Sequence, residues 1–277
     1  MEWLESKKIP IGPWAKEFVE WLTDNFYWFF DGLSVFLESI ILGLLWILQA
    51  PNVFVVIAAI TILSWFVRKS LGFTVFTALG LLLIVNQGYW VETTETLALV
   101  LAAAVVCMGL GVPLGIAAAR RPWLYRIMEP VLDLMQTIPT FVYLIPALIL
   151  FGLGMVPGLI ATVIFAIPAP IRLTHLGITS TPTALIEAGK AFGSTPMQLM
   201  WKVELPYAMP QIMAGLTQTI MLSLSMVVIA ALVGADGLGV PTLRALNSVN
   251  IAKGFEVGIA IVLVAIIFDR MFKRARD

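Results

Sequence analysis

Charge is scarce in this chain. Asp, Glu, Lys and Arg make up 12% of its 277 residues, about half the share of an ordinary soluble domain. The 17 basic and 17 acidic residues cancel to a formal net charge of zero, so no basic surface is available for nucleic acid. There is one cysteine and one histidine, too few for a disulfide framework or a metal cluster. Cys107 lies in the apolar run LVLAAAVVCMGLGVPLG and reads as a small buried hydrophobe. His175 is expected to cap the last carbonyls of a membrane helix. No Walker A phosphate loop is present. The glycine-rich GADGLG at 234–239 follows a membrane run rather than a strand, which fails the context of a dinucleotide site and suggests a flexible turn. The opening MEWLESKKIP lacks the basic, apolar and small-residue succession of a signal peptide.

What the chain has is grease. Hydrophobic residues make up 60%, and mean hydropathy is +0.97. The apolar runs are continuous rather than alternating, so they suit helices and not a β-barrel. The expected fold is an all-α integral membrane protein with about seven transmembrane helices, near 53–67, 71–86, 96–119, 134–153, 156–174, 208–233 and 255–271. Pro139, Pro146, Pro168 and Pro170 predict kinks in the fourth and fifth. Residues 14–49 are apolar but carry Asp31 and Glu38 with Ser34 between them on one helix face. A charge at mid-membrane costs several kcal/mol. Residues 1–50 are therefore expected to form an amphipathic interfacial segment, with an eighth span as the alternative. Residues 51–272 are expected to form one transmembrane domain, with a tail at 273–277.

Orientation follows the basic residues. Seven spans gather Arg68, Lys69, Arg120, Arg121, Arg126, Arg172, Lys190, Lys202 and the terminal DRMFKRARD on one side, which is then cytoplasmic together with the C-terminus. The other side's loops offer only Arg244 and Lys253. The N-terminal segment then faces outward, against which Lys7, Lys8 and Lys16 weigh.

On the basic side lies TALIEAGKAFGSTPMQLMWKVELP, residues 183–206, polar between two greasy flanks. Thr181 is placed to cap a helix with Pro182 at its first position and Gly193 at its end. Thr195 and Gln198 have capping-box spacing, Pro196 takes a first helical position, and Pro206 is expected to stop that helix. Glu187 and Lys190 can pair on one face. Ala188, Gly189 and Ala191 leave little side chain, although Gly189 weakens the helix by about 1 kcal/mol relative to alanine. A rigid, small-faced knob suits insertion into a partner's cleft; the same pattern also describes a hairpin resting on lipid headgroups.

EAGKAFG, nine residues, then VELP resembles the EAA signature of ABC-importer permeases: Glu-Ala-Ala, three residues, Gly, nine residues, Ile, any residue, Leu-Pro. The chain departs at Gly189, where the pattern has alanine, and at Val203, where it has isoleucine. Longer stretches, EPVLDLMQTIPTFVYLIPALILFGLG, IFAIPAPIRLTHLGI, EAGKAFGSTPMQLMWKVELPYAMPQIMAGLTQTIMLSLSMVVIAALVGADGLG and VGIAIVLVAIIFDR, together with LALVLAAAVVCMGLGVPLGIAAAR, are similar to the glycine betaine/proline/choline-type osmoprotectant permeases over roughly residues 50–272. The resemblance implies a type I ABC-importer permease architecture. It implies a second permease copy as partner and a periplasmic or lipid-anchored solute-binding protein. It also implies two cytoplasmic ATPase subunits that hold ATP and Mg, with no cofactor on this chain. Glu187, Ala188, Gly189, Lys190, Gly193, Leu205 and Pro206 would then carry ATPase coupling, and the protein would reside in the bacterial cytoplasmic (inner) membrane.

The chemistry of the chain agrees with an external engine. Glu129, Asp133, Asp236 and Asp269 sit at span ends rather than in span interiors, where an ion-coupled carrier needs ionisable groups. Candidate pathway residues are Gln136, Thr137, Thr140 and Tyr143 in the fourth span and Gln218, Met221 and Ser225 in the sixth. Aromatic and uncharged polar groups suit a quaternary ammonium. Hydroxyls in membrane bundles also serve as glue between helices. The rival readings are an ABC permease for another small solute such as an amino acid, and an ion-coupled carrier or membrane enzyme.

Overall fold

The structure is a computed structural model that describes residues 10–272. The expected tail at 273–277, and Lys7 and Lys8, lie outside the described residues. Helices follow one another throughout: α1 Ile11–Gln49, α2 Val53–Arg68, α3 Leu71–Asn86, α4 Trp90–Arg120, α5 Pro122–Thr137, α6 Thr140–Phe151, α7 Met155–Ala166 and α8 Pro168–Thr179. After these come α9 Thr183–Ala191, α10 Pro196–Leu199, a π-helical turn Met200–Glu204, α11 Leu205–Ala230, a 3₁₀ turn Ala231–Val233, α12 Gly239–Asn247 and α13 Ile251–Phe272. In a bilayer each backbone amide must be satisfied within its own segment, and helices do that.

Helices cover every expected span, with the fourth and the fifth each made of two. Among the described residues five helical stretches are long and apolar enough to cross a membrane, α1, α4, α7–α8, α10–α11 and α13; α5 with α6 forms a broken one, and α2 and α3 are shorter apolar helices. Ser180 follows α8 and leads into the polar loop. The outer surface is apolar, with Phe54, Ile62, Phe66, Leu79, Val105 and Ile145 all exposed, as a lipid-facing surface requires.

Two details differ from the sequence expectation. The fourth span is not one kinked helix: α5 and α6 meet at 96°. Ile138 precedes Pro139 and takes an extended backbone (φ −65°, ψ 130°), because the proline ring crowds the residue before it out of the helical region. The second concerns α1, which bends where Phe26 leaves helical geometry (φ −122°, ψ 19°). Beyond that bend α1 joins the bundle. Leu37 and Ile41 are buried among Ala98, Leu99 and Ala102 of α4 and Val156 and Leu159 of α7. The Gln49 amide donates to the Thr94 hydroxyl at 2.8 Å, and the Phe30 ring meets Phe151 edge-on at 5.5 Å. Asp31 and Glu38 remain exposed.

The bundle is organised around α4, α8 and α11. Gly111 and Gly115 of α4 face α8 so closely that a Cβ on Gly115 would lie 2.7 Å from the Ile171 carbonyl oxygen and 2.6 Å from Thr174 Cβ. On the adjoining face of α8, a Cβ on Gly215 of α11 would lie 3.1 Å from Pro170 Cα. Small residues four apart let membrane helices approach backbone to backbone. Around this centre α2, α3 and α13 pack on α4 and α11 through Val56, Ile84, Leu97, Ile220, Leu224 and Val257.

Candidate coupling loop and pathway face

The polar loop is a helical hairpin. Its first helix, α9, starts one residue later than expected. Pro182 is extended (φ −56°, ψ 134°) and occupies the N-cap position. Thr181 is thus too far out to cap, and its hydroxyl is buried without a partner. The other end of α9 closes as expected. Gly193 adopts the left-handed conformation (φ 74°), its N–H donates to Lys190 O at 2.9 Å, and Ser194 N–H donates to Gly189 O at 3.1 Å. This is a Schellman motif, which favours glycine at that position.

The second half opens with a complete capping box. Gln198 N–H donates to the Thr195 hydroxyl at 3.3 Å, and Thr195 N–H donates to Gln198 Oε1 at 2.9 Å. Thr195→Ala is expected to cost about 1 kcal/mol of local helix stability, read as faster amide exchange over residues 196–204 with no change in α13. Pro206 does not stop the helix, contrary to the sequence reading. The chain passes through the π turn Met200–Glu204 directly into α11, with Pro206 in the first turn of α11. Leu205 N–H reaches back to Met200 O. The wider turn relieves the clash a proline makes with the carbonyl four residues back.

The small residues of α9 serve two purposes. Gly189 faces inward, where a Cβ would come 2.6 Å from Leu199 Cδ1, so its smallness seats α9 on α10. Ala188, Ala191 and Glu187 face outward and are exposed, with Leu185 beside them. Glu187 and Lys190 form no ion pair, in contrast to the sequence expectation; ion pairs among the described residues include Lys16–Glu20, Arg120–Glu204 and Arg172–Asp133. Two residues of this site escaped sequence reasoning. Phe192, at the tip between α9 and Gly193, is 91% exposed; an aromatic next to a helix-ending glycine in a polar loop was the available signal. Glu204, the variable position in VELP, is buried and bonded to Arg120 at 2.5 Å.

The pathway candidates fall on two neighbouring surfaces. Gln218, Met221 and Ser225 line one exposed face of α11. Thr217, Thr219 and Ser223 are turned inward and donate to carbonyls four residues back in their own helix, so they are not glue between helices. On α5, Gln136 Nε2 donates to Phe165 O at 3.4 Å and the Thr137 hydroxyl donates to Asp133 O at 2.9 Å. Thr140 begins α6, half-buried, and the Tyr143 hydroxyl is buried with no partner. The surfaces adjoin because Tyr143 packs against the cluster that contains Met226, and Leu222 against the one that contains Leu132.

Three other residues or segments are settled by their surroundings. Cys107 is fully buried, with its Sγ 3.8 Å from Val163 O. His175 does not cap a helix end; its ring stacks on Tyr125 at 3.7 Å, 3° from parallel. Residues 234–239 are not a loose turn: Ala235 and Leu238 are buried, and Leu238 N–H donates to the Thr96 hydroxyl at 2.9 Å.

Comparison with known proteins agrees with this architecture. The family model described as "Binding-protein-dependent transport system inner membrane component" matches residues 111–275. The chain is similar to the glycine betaine transport system permease protein OpuAB of Bacillus subtilis (strain 168), 47% identical over 268 residues, 95% of this chain and 93% of that one. It is similar to the glycine betaine/carnitine transport permease protein GbuB of Listeria monocytogenes serotype 1/2a (strain 10403S), 46% identical over 267 residues, with 95% and 94% covered. The glycine betaine/proline betaine permease ProW of Escherichia coli (strain K12) is 43% identical over 263 residues, 95% of this chain and 74% of that one. Among solved structures, inward-facing conformations of the MetNI methionine ABC transporter superpose with a TM-score of 0.57 at 26% identity, covering 63% of this chain and 88% of that chain. The helical order, the loop between α8 and α11 and these likenesses have one common reading: the chain is an all-α membrane permease of type I ABC-importer architecture, and it belongs to the family of binding-protein-dependent transport system inner membrane components.

Proposed function

We propose that the chain is the permease subunit of an importer for glycine betaine or a closely related methylated amine, driven by a separate ATPase chain. The observation that carries this is the near full-length likeness, at 43–47% identity, to three permeases whose names all include glycine betaine. A trimethylamine N-oxide permease of Ruegeria pomeroyi, 40% identical over 67% of this chain, extends the set to another methylated nitrogen. The methionine transporter neighbour favours an amino-acid solute, but its 26% identity is much lower.

In this reading the hairpin 182–206 faces the cytoplasm, where the basic residues gather, and so does the C-terminus. Two ATPase subunits, with ATP and Mg, each take up one α9 handle through Glu187, Ala188 and Phe192. Gly193 shapes the end of the handle, and Leu205 and Pro206 carry its continuation into α11. A second copy of the permease completes the pathway along the exposed Gln218, Met221 and Ser225 face. A solute-binding protein delivers from the other side of the bacterial cytoplasmic membrane.

The test is uptake in proteoliposomes that contain the permease, its ATPase and its binding protein. Labelled glycine betaine should accumulate only with ATP. Unlabelled glycine betaine, proline betaine or carnitine should compete, and methionine and proline should not. Competition by methionine with none by the betaines would overturn the solute assignment.

A further inference from the structure

The hairpin is tied to the bundle by a contact that no sequence pattern announces. Arg120 is the last residue of α4, and Glu204 is the last residue of the π turn. Arg120 Nη2 donates to Glu204 Oε2 at 2.5 Å, across 84 residues of sequence. The Glu204 side chain is 7% exposed and that of Arg120 36%. A carboxylate so little exposed is costly unless a fixed cation satisfies it, and removing one partner leaves the other charge buried and unpaired. The pair also forms one wall of a cavity of about 280 Å³ beneath α9, which Ile186 and Lys190 line from above. Between α9 and the membrane helix α11 lies the π turn, a kind of segment that often marks functional positions and departs from regular helical pairing.

We propose that Arg120 and Glu204 act as a positioning pair, a strut that fastens the coupling hairpin to the end of α4. Displacement of α9 then enters the bundle through α4 as well as through α11, instead of being absorbed where the π turn yields. The proposal rests on the reading of 182–206 as the ATPase-coupling loop. It makes these two residues determinants of how much transport each ATP yields, with no part in holding the ATPase.

The experiment compares Arg120→Gln, Glu204→Gln and the exchange Arg120→Glu/Glu204→Arg in the complete reconstituted importer. Three quantities are read: ATPase co-purification, ATP hydrolysis stimulated by loaded binding protein, and solute taken up per ATP. Both single variants should retain the ATPase and its hydrolysis while uptake per ATP falls about tenfold, and the exchange should recover most of that loss. Single variants with a wild-type ratio would overturn the proposal. So would a proportional fall in hydrolysis and uptake that the exchange does not repair, since that is the mark of a merely structural contact. Should Arg120→Gln fail to assemble, Glu204→Gln, nearly identical in shape to the native side chain, decides between the same outcomes; failure of both singles without recovery in the exchange also overturns the strut. A wild-type chain that binds no ATPase would overturn the coupling reading itself, a result distinct from all of these.

Discussion

Phe192→Asp is expected to abolish both retention of the ATPase and solute uptake, while leaving the permease folded. The ring is 91% exposed at the tip of the hairpin, between the last turn of α9 and Gly193. A phenyl group in water has no stabilising contact to lose, so the isolated permease should keep its thermal midpoint. A partner groove would gain much from burying it. Aromatic anchors at interfaces typically cost 2 kcal/mol or more when truncated, about thirtyfold in affinity. Aspartate adds the cost of desolvating a charge in that groove, so the loss should exceed that of Phe192→Ala. The check is co-purification with the ATPase alongside uptake in proteoliposomes. Normal retention of the ATPase by Phe192→Asp would show that the motor grips elsewhere.

Gly115→Val should have the largest effect on the permease itself. Its Cβ would press on the Ile171 carbonyl and on Thr174. A backbone oxygen cannot rotate away as a side-chain tip can, so α4 and α8 must separate. Overpacking typically costs 1–3 kcal/mol, occasionally more. Here the separation would also unseat the contact between α8 and α11 at Gly215. The expected result is little monodisperse protein after detergent extraction and a markedly lower unfolding temperature. Gly109→Val, on the same helix with open space around its Cα, is the control and should behave as wild type. Equal yields for the two variants would show that the α4–α8 crossing is looser than described.

The spans were legible in the sequence because the bilayer imposes both a length and a composition on them; α3 matches its expected range at Leu71–Asn86. The hairpin was legible from local chemistry, since the Thr195–Gln198 box and Gly193 act within a single turn of chain. What stayed hidden was non-local or competitive. Arg120 read as one more cytoplasmic charge and Glu204 as a free position, because nothing in sequence links residues 84 apart. Asp31 and Glu38 drew α1 toward the interface, and only the burial of Leu37 and Ile41 reveals how far its second half joins the bundle. Pro206 read as a terminator because a proline's usual effect in an α-helix takes no account of a π turn before it. Pro139 breaks its span where a kink was expected, since two extended residues in succession, Ile138 and Pro139, leave no helical turn to bend.

The close contacts that α8 makes with α4 and with α11 have a mechanical consequence. With glycines rather than side chains between them, α4, α8 and α11 have no cushion that could shear, so the three must travel together as one stiff plank. Whatever swings to admit solute from one side and then the other has to pivot at the plank's borders rather than within it.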